Sequence, residues 1–304
     1  MRTPPSIAAL RAPRFHALTV TLALLAASAG ASASLTGCSP AGAPEARRKI
    51  REIHAREVQA MVRDDLTKHR RGIVGVAERI APILSGNAPT EEARERALRA
   101  KLKAIRIMPR GVSELVASPA TFVAGLRPDG IVIARDSDED QMKGLNMAEH
   151  FPCVRAALTE GRTTECIADF PAQGELAASR SLVFATAVRA SDGRIVGGAA
   201  LGIPMWRLEQ RISRQLQLDH SDEAGLVLWA YVYVGDEIYA RPAAHPDLDQ
   251  IVPTPAERAE GLRRSPGGFT TERRQYGRDY AFGILPVPSL GEGVGVILVR
   301  SDPV

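Results

Sequence analysis

From residue 58 onward, Val58, Val62, Leu66, His69, Ile73, Val76, Ile80 and Ile83 recur every three or four positions, with arginine, aspartate, glutamate and lysine between them. That period predicts one amphipathic helix over about 45–84, carrying a single continuous stripe. At 1.5 Å per residue it is roughly 60 Å long, with Gly72 and Gly75 as bend points. Such a length outruns a compact domain, so the element reads as a stalk. Its upper part packs on its own globule, and its lower part pairs with a second copy along a near-heptad seam within 46–85. After Ser85-Gly86-Asn87, the run Pro89-Thr90 with Glu91 and Glu92 opens a second helix. That helix ends before Pro109 and buries Ala97, Leu98, Leu102 and Ile105.

Beyond residue 120 the period shortens to that of strands, and one order of elements occurs twice. The first pass is TFVAGL, a Pro128-Asp129-Gly130 turn and IVIARD, then a helical region around 142–160, then TTECIADF, RSLVFATAVRA and RIVGGAALGI. A connecting helix, MWRLEQRISRQLQL, leads to the second pass. This opens with LVLWAYVYV, a Gly235-Asp236 turn and EIYARP, continues through a helix near Thr254 to Arg264, and closes with GFTTE, DYAFGILPV and VGVILVR. Each pass is two strands, a helical crossover and three strands. The expected fold is therefore α+β: a long N-terminal stalk helix, then two units that are each a five-stranded antiparallel sheet with helices. The boundaries fall at 46–108 for the stalk and second helix, 109–218 for the first unit and 219–304 for the second.

Composition adds a constraint at the N-terminus. The net charge is +4, but Arg2, Arg11 and Arg14 precede any acidic residue, so a chain starting at Cys38 carries only +1. Interleaved charges give no single-sign field, which sets nucleic acid aside as a partner. Residues 17–31 are uncharged and apolar, and Leu35-Thr36-Gly37-Cys38 follows. This is the layout of a secretory signal over 1–37, too rich in Ala, Thr and Ser for a permanent span. The tetrapeptide resembles the bacterial lipoprotein box, which implies acylation of Cys38, a tether over 38–45 and a membrane partner through the lipid. The alternative is that Cys38 is an ordinary small residue near a conventional cleavage site. By resemblance to Gram-negative lipoproteins, Ser39 implies the periplasmic face of the outer membrane rather than the inner membrane. In an oxidising compartment Cys153 and Cys166 read as a disulfide, the alternative being two buried thiols.

The run Asp129-Gly130-Ile131-Val132-Ile133-Ala134-Arg135, then Gly144, then Phe151 to Leu158 and Gly161, resembles the turn, ligand loop and helix of the extracytoplasmic double Cache sensor domains, relatives of the PAS fold. Ala187-Val188 and Asp192 to Gly198 resemble their closing hairpin. The resemblance implies small-molecule binding between sheet and crossover, and signalling through a partner. Two departures stand out. No apolar run of about 18 residues follows the signal to carry a change across a membrane. The aromatic and arginine set of amino-acid-binding members is absent from 143–160, so amino acids are not favoured ligands.

In the first unit the resemblance points to Arg135, Asp136, Arg180 and Ser181, a guanidinium there being able to clamp a carboxylate. The alternative places both arginines at strand ends, solvated or paired locally. In the second unit Trp229, Tyr231 and Tyr233 share one strand face and, with Tyr239, Arg241, Arg278 and Tyr280, line an aromatic pocket. The alternative is plain core. Asp136 to Asp140 fails as a calcium loop because Gln141 and Met147 stand where Gly and Glu are needed. No catalytic motif is present, and His54, His150, His220 and His245 are scattered without ligand spacing. No cofactor, metal or catalytic residue is assigned. Three functions follow in order: a lipid-anchored sensory or ligand-binding accessory acting through a signalling or envelope partner; an interaction or structural lipoprotein without a ligand; a periplasmic enzyme.

Overall fold

A computed structural model describes residues 42–107, 111–172, 178–240, 250–275 and 277–303. The N-terminal helical run begins as α1 (Gly42–Lys49), passes through a π-helical turn at Ile50–His54, and continues as α2 (Ala55–Ser85). Val58, Val62, Leu66, His69, Ile73, Val76 and Ile80 are all buried, as their spacing requires. What covers them corrects the expectation of a stalk. α1 lies on the strands of the second pass and α2 on those of the first. The stripe also extends back through Ala46, Ile50 and Ala55, each at most 9% exposed. The run is thus a spine laid across the chain's own two sheets, and the seam assigned to a second copy is filled from within. Nor do Gly72 and Gly75 end or interrupt the helix. A Cβ on Gly72 would stand 2.6 Å from Leu115 Cδ2, so its absence lets the 3-10 turn Ser113–Leu115 seat directly on α2.

α3 (Glu91–Ile105) starts where the sequence indicates, with the Thr90 hydroxyl accepting the Ala93 N–H at 3.1 Å. The first sheet contains β1 (Phe122–Leu126), β2 (Val132–Arg135), β3 (Thr164–Phe170), β4 (Ser179–Arg189) and β5 (Ile195–Pro204), in the antiparallel order β2-β1-β5-β4-β3. Its crossover carries α4 (Met147–His150) and α5 (Pro152–Glu160). α6 (Met205–Asp219) then leads to β6 (Val227–Val234), β7 (Glu237–Tyr239), α7 (Pro255–Arg264), β8 (Phe269–Gln275), β9 (Arg278–Pro286) and β10 (Val294–Ser301). The second sheet has the order β7-β6-β10-β9-β8, the same topology built again.

Central β10 is buried at all eight positions, whereas edge strand β8 has no fully buried one. One core cluster runs beneath the spine and joins both sheets, from Phe184 and Leu201 to Val296 and Leu298. A second fills the space between the first sheet and α4–α5, and a third covers the outer face of the second sheet. At the π turn, a Cβ on Gly283 of β9 would stand 2.3 Å from Ile50 Cγ2, so the spine presses on bare strand backbone there.

Cys153 of α5 and Cys166 of β3 form the disulfide, 13 positions apart. Replacing both by alanine is expected to cost on the order of 3 kcal/mol through the freed unfolded chain. A lowered urea midpoint checks this.

Candidate functional site

The residues singled out in the first unit engage one another or the backbone. Arg135 Nη2 donates to the Thr121 carbonyl at 3.1 Å. Asp136 accepts the Val123 N–H and an Arg106 N–H, both at 3.0 Å, and so ties the end of α3 to β1. Asp140 accepts the Arg135 and Met142 N–H groups at 2.9 and 3.2 Å, which places it in the loop's own scaffold. Arg180 forms a two-point pair with Asp169 across β3 and β4, at 2.8 and 2.7 Å. Ser181 is buried opposite Ala168 and Pro204.

In the second unit, Tyr231 is 1% exposed, packed with Tyr233, Phe282 and Ile297 as core. Tyr239 is half-buried on edge strand β7 and donates its hydroxyl to Glu237. Burial first, then that carboxylate, push its phenol well above the ordinary value. Arg278 holds the carbonyls of Gly225 and Ser301 at 2.7 and 2.9 Å. Arg241 and Cys38 lie outside the described residues. Two residues assigned to separate pockets meet at one seam: Arg180 lies 4.0 Å from Glu237, whose neighbour is Tyr239.

The space between the first sheet and its crossover, where the sequence resemblance implied a ligand, is occupied by Phe122, Met142, Met147, Phe151 and Leu158, with Phe170 against them. Open clefts lie elsewhere. One, of about 690 Å³, is lined by Arg70, Arg71, Val74, Arg79, Val112 and Glu114. Neighbouring clefts of about 400 and 350 Å³ flank segment 117–119 and add Lys68, Arg207, Arg211 and Arg214. None of these clefts is lined by a residue singled out as a ligand group.

In the 400 Å³ cleft a serine meets a histidine, with Ser118 Oγ 2.7 Å from His69 Nε2. His69 Nδ1 donates to the Asp65 carbonyl at 2.6 Å. Acyl transfer needs donors for an oxyanion, and the backbone groups at and just after Ser118 are not free to serve. The Ser118 N–H is spent on Leu115 O, residue 119 is proline, and the Ala120 N–H is spent on Ser118 Oγ itself. With both nitrogens satisfied and its ring stacked on Phe184 at 5.4 Å, His69 is a helix histidine fixed in core.

The histidines read as scattered are not all apart. His54 at the π turn, Glu57 and His220 after α6 converge, with the His54 and His220 rings edge-on at 4.6 Å. His54 Nδ1 is 2.9 Å and His220 Nε2 3.1 Å from Glu57 Oε2. His220 Nδ1 is 2.9 Å from Glu223 Oε1. Arg300 Nη1 donates to His54 Nε2 at 2.8 Å, while its Nη2 donates to Glu223 and, at 2.6 Å, to Asp302. Three donors this close resemble a metal site, but the arginine argues against one. A metal on Nδ1 of a neutral His54 requires the proton on Nε2, where the Arg300 N–H already points. The separation of these residues by up to 246 positions hid the cluster. The available signals were the i, i+3 pairs His54/Glu57 and His220/Glu223, and an arginine inside the apolar run of β10.

No protein-family profile and no curated protein matches the chain. Among solved structures it is similar to the ligand-binding domain of the Campylobacter jejuni chemoreceptor Tlp3, in complex with L-valine, at 13% identity and TM-score 0.49, covering 82% of this chain and 90% of that one. The sensor domain of the V. cholerae histidine kinase DctB gives 14% identity and TM-score 0.49, covering 83% and 95%. An extracellular ligand-binding receptor from Desulfohalobium retbaense gives 11% identity and TM-score 0.49, covering 82% and 39%. Among the described residues no helix is long and apolar enough to cross a membrane.

Proposed function

We propose that the protein is a lipid-anchored extracytoplasmic sensory or ligand-binding accessory of the double Cache kind, non-catalytic and acting through a partner. The observation that carries this reading is the repeated topology: one sheet order built twice on a shared helical spine, with a helical crossover inside each repeat. In this reading Cys38 carries the lipid, 38–45 is the tether, and Ser39 directs the protein to the periplasmic face of the outer membrane. The fold is hospitable to many functions, so the ligand is argued from the site. The space beneath α4–α5 is lined by apolar side chains and closed by the Cys153–Cys166 bond. Its apolar lining suits a small apolar molecule that displaces Phe151 or Phe170.

A second reading, an interaction protein that keeps the fold without a ligand, is favoured by how fully that space is packed. Recognition then falls to the outer surface, where Lys68, Arg71 and Arg214 stand exposed around the clefts flanking 113–119. Native mass spectrometry of the protein purified from cells, followed by a thermal-shift screen, separates the two. A co-purified small molecule, or a shift rising with its concentration as mass action requires, is the expected result. A well-folded protein that shifts with nothing in a broad library sinks the ligand reading in favour of the second. Mass spectrometry of the envelope form tests the anchor independently, since acylation adds a fixed mass at Cys38.

A further inference from the structure

The junction of His54 with Arg300 fixes its own protonation state. Both side chains are wholly buried. A guanidinium only donates, so His54 Nε2 accepts from Arg300 and Nδ1 carries the proton directed at Glu57. This is the neutral imidazole. A second proton has one place to go, Nε2, where it meets an Arg300 N–H across 2.8 Å with no acceptor between them.

We propose that this junction is an acid-released clasp, in which protonation of His54 expels Arg300 and loosens β10 from the π-helical turn of the spine.

Three segments meet in it: the spine with Lys49, His54 and Glu57, the turn after α6 with His220 and Glu223, and the end of β10 with Arg300 and Asp302. Lys49 reaches Glu223 at 3.3 Å and Asp302 at 3.8 Å, so a second cation already serves the two carboxylates that hold Arg300. Facing His54 are Glu57, which favours a charged ring, and Arg300 and His220, which oppose it. Burial is the largest influence and, together with Arg300 and His220, outweighs Glu57, so the imidazole lies below its ordinary 6.5. Glu57 and Glu223 stay ionised through the same range. Burial tends to raise Glu57, but its hydrogen bonds with the two histidines prevail and hold it below 4.5. Glu223 is held at about 2, chiefly by Arg300.

The sign follows. Folded His54 binds its proton less readily than the unfolded chain does, so its contribution to stability is whole above pH 6.5 and is lost as pH falls toward its lower folded value. Because Ile50, in the same turn, rests on Gly283 of β9, the release bears on the joint between spine and second sheet.

The test follows the His54 imidazole by NMR from about pH 8 to about pH 5, with urea midpoints in the same buffers, for the purified wild type, His54→Gln and Arg300→Gln. Expected are an Nδ1–H tautomer and a His54 titration below 6.5. The wild-type midpoint should fall more steeply with acid than that of His54→Gln, and His54 should titrate higher once Arg300 is gone. If Arg300→Gln does not fold, the wild-type tautomer and the His54→Gln comparison decide. An Nε2–H tautomer, a titration at or above the ordinary value, or parallel midpoint curves overturns the clasp. So does stoichiometric zinc binding at neutral pH that His54→Gln abolishes, since a metal on Nδ1 demands the opposite tautomer.

Discussion

Phe151→Ala is expected to destabilise the protein by about 3–5 kcal/mol, the range for truncating a fully buried phenylalanine. The side chain is 0% exposed at the start of α5. Its ring leans on Phe170 at 5.5 Å, which in turn leans on Phe122 at 5.6 Å. The disulfide between α5 and β3 limits how far the helix can settle inward, so most of the volume should persist as a cavity. Its walls are Met142, Met147, Val154 and the two remaining rings, none of which gives water a partner. An apolar cavity of this kind stays dry and takes up small aromatic molecules. The urea midpoint measures the loss, and benzene-sized compounds should raise the melting temperature of the variant while leaving the wild type unmoved. A loss below about 1 kcal/mol would mean that the space is loosely packed already, which would strengthen the ligand reading at the expense of the interaction reading.

Arg258→Met is the second large effect, expected at about 3 kcal/mol because buried acceptors lose a charged donor. Arg258 is 2% exposed, and the hydrogen bonds of its guanidinium among the described residues go to backbone carbonyls. It donates to the carbonyls of Pro253, Gly235 and Asp236 at 2.9, 3.1 and 3.0 Å, and its guanidinium lies over the Tyr233 ring at 5.2 Å. One side chain thereby fastens the start of α7 to the β6–β7 turn. Methionine restores volume and nothing else, so the carbonyls are left without that donor. Hydrogen exchange should show β6, β7 and α7 opening together, with the first sheet unaffected.

The elements were legible because each is set by neighbours in sequence. The stripe on the spine, the alternation in the edge strands, the Thr90 cap and the paired cysteines all declare themselves within a few residues. A stripe states that a face is covered and is silent about what covers it. The second copy inferred for the spine is in fact the chain's own sheets, whose inner faces also needed a partner. Arg180 and Tyr239 were placed in two pockets because the sequence separates the two repeats, whereas the start of β4 in the first sheet lies within ion-pair reach of edge strand β7 in the second, Arg180 being 4.0 Å from Glu237. The His54 cluster draws on residues near 50, 220 and 300. No periodicity connects them, although a buried arginine in a central strand had to be answered from somewhere.

β10 stands in the middle of the second sheet, bonded to β6 on one side and β9 on the other, yet it is the last strand in the sequence. The first sheet is complete once β5 has been made, at residue 204. A chain synthesised from its N-terminus therefore carries one finished half and one half with an open centre until residues 294–301 emerge. Through that interval Ile50 and His54 wait for β9 and β10, and the apolar stripe of the amphipathic lower spine has no cover on that side. Losing residues 294–301 would remove the keystone instead of a fringe, and the spine around its π turn would lose part of its cover.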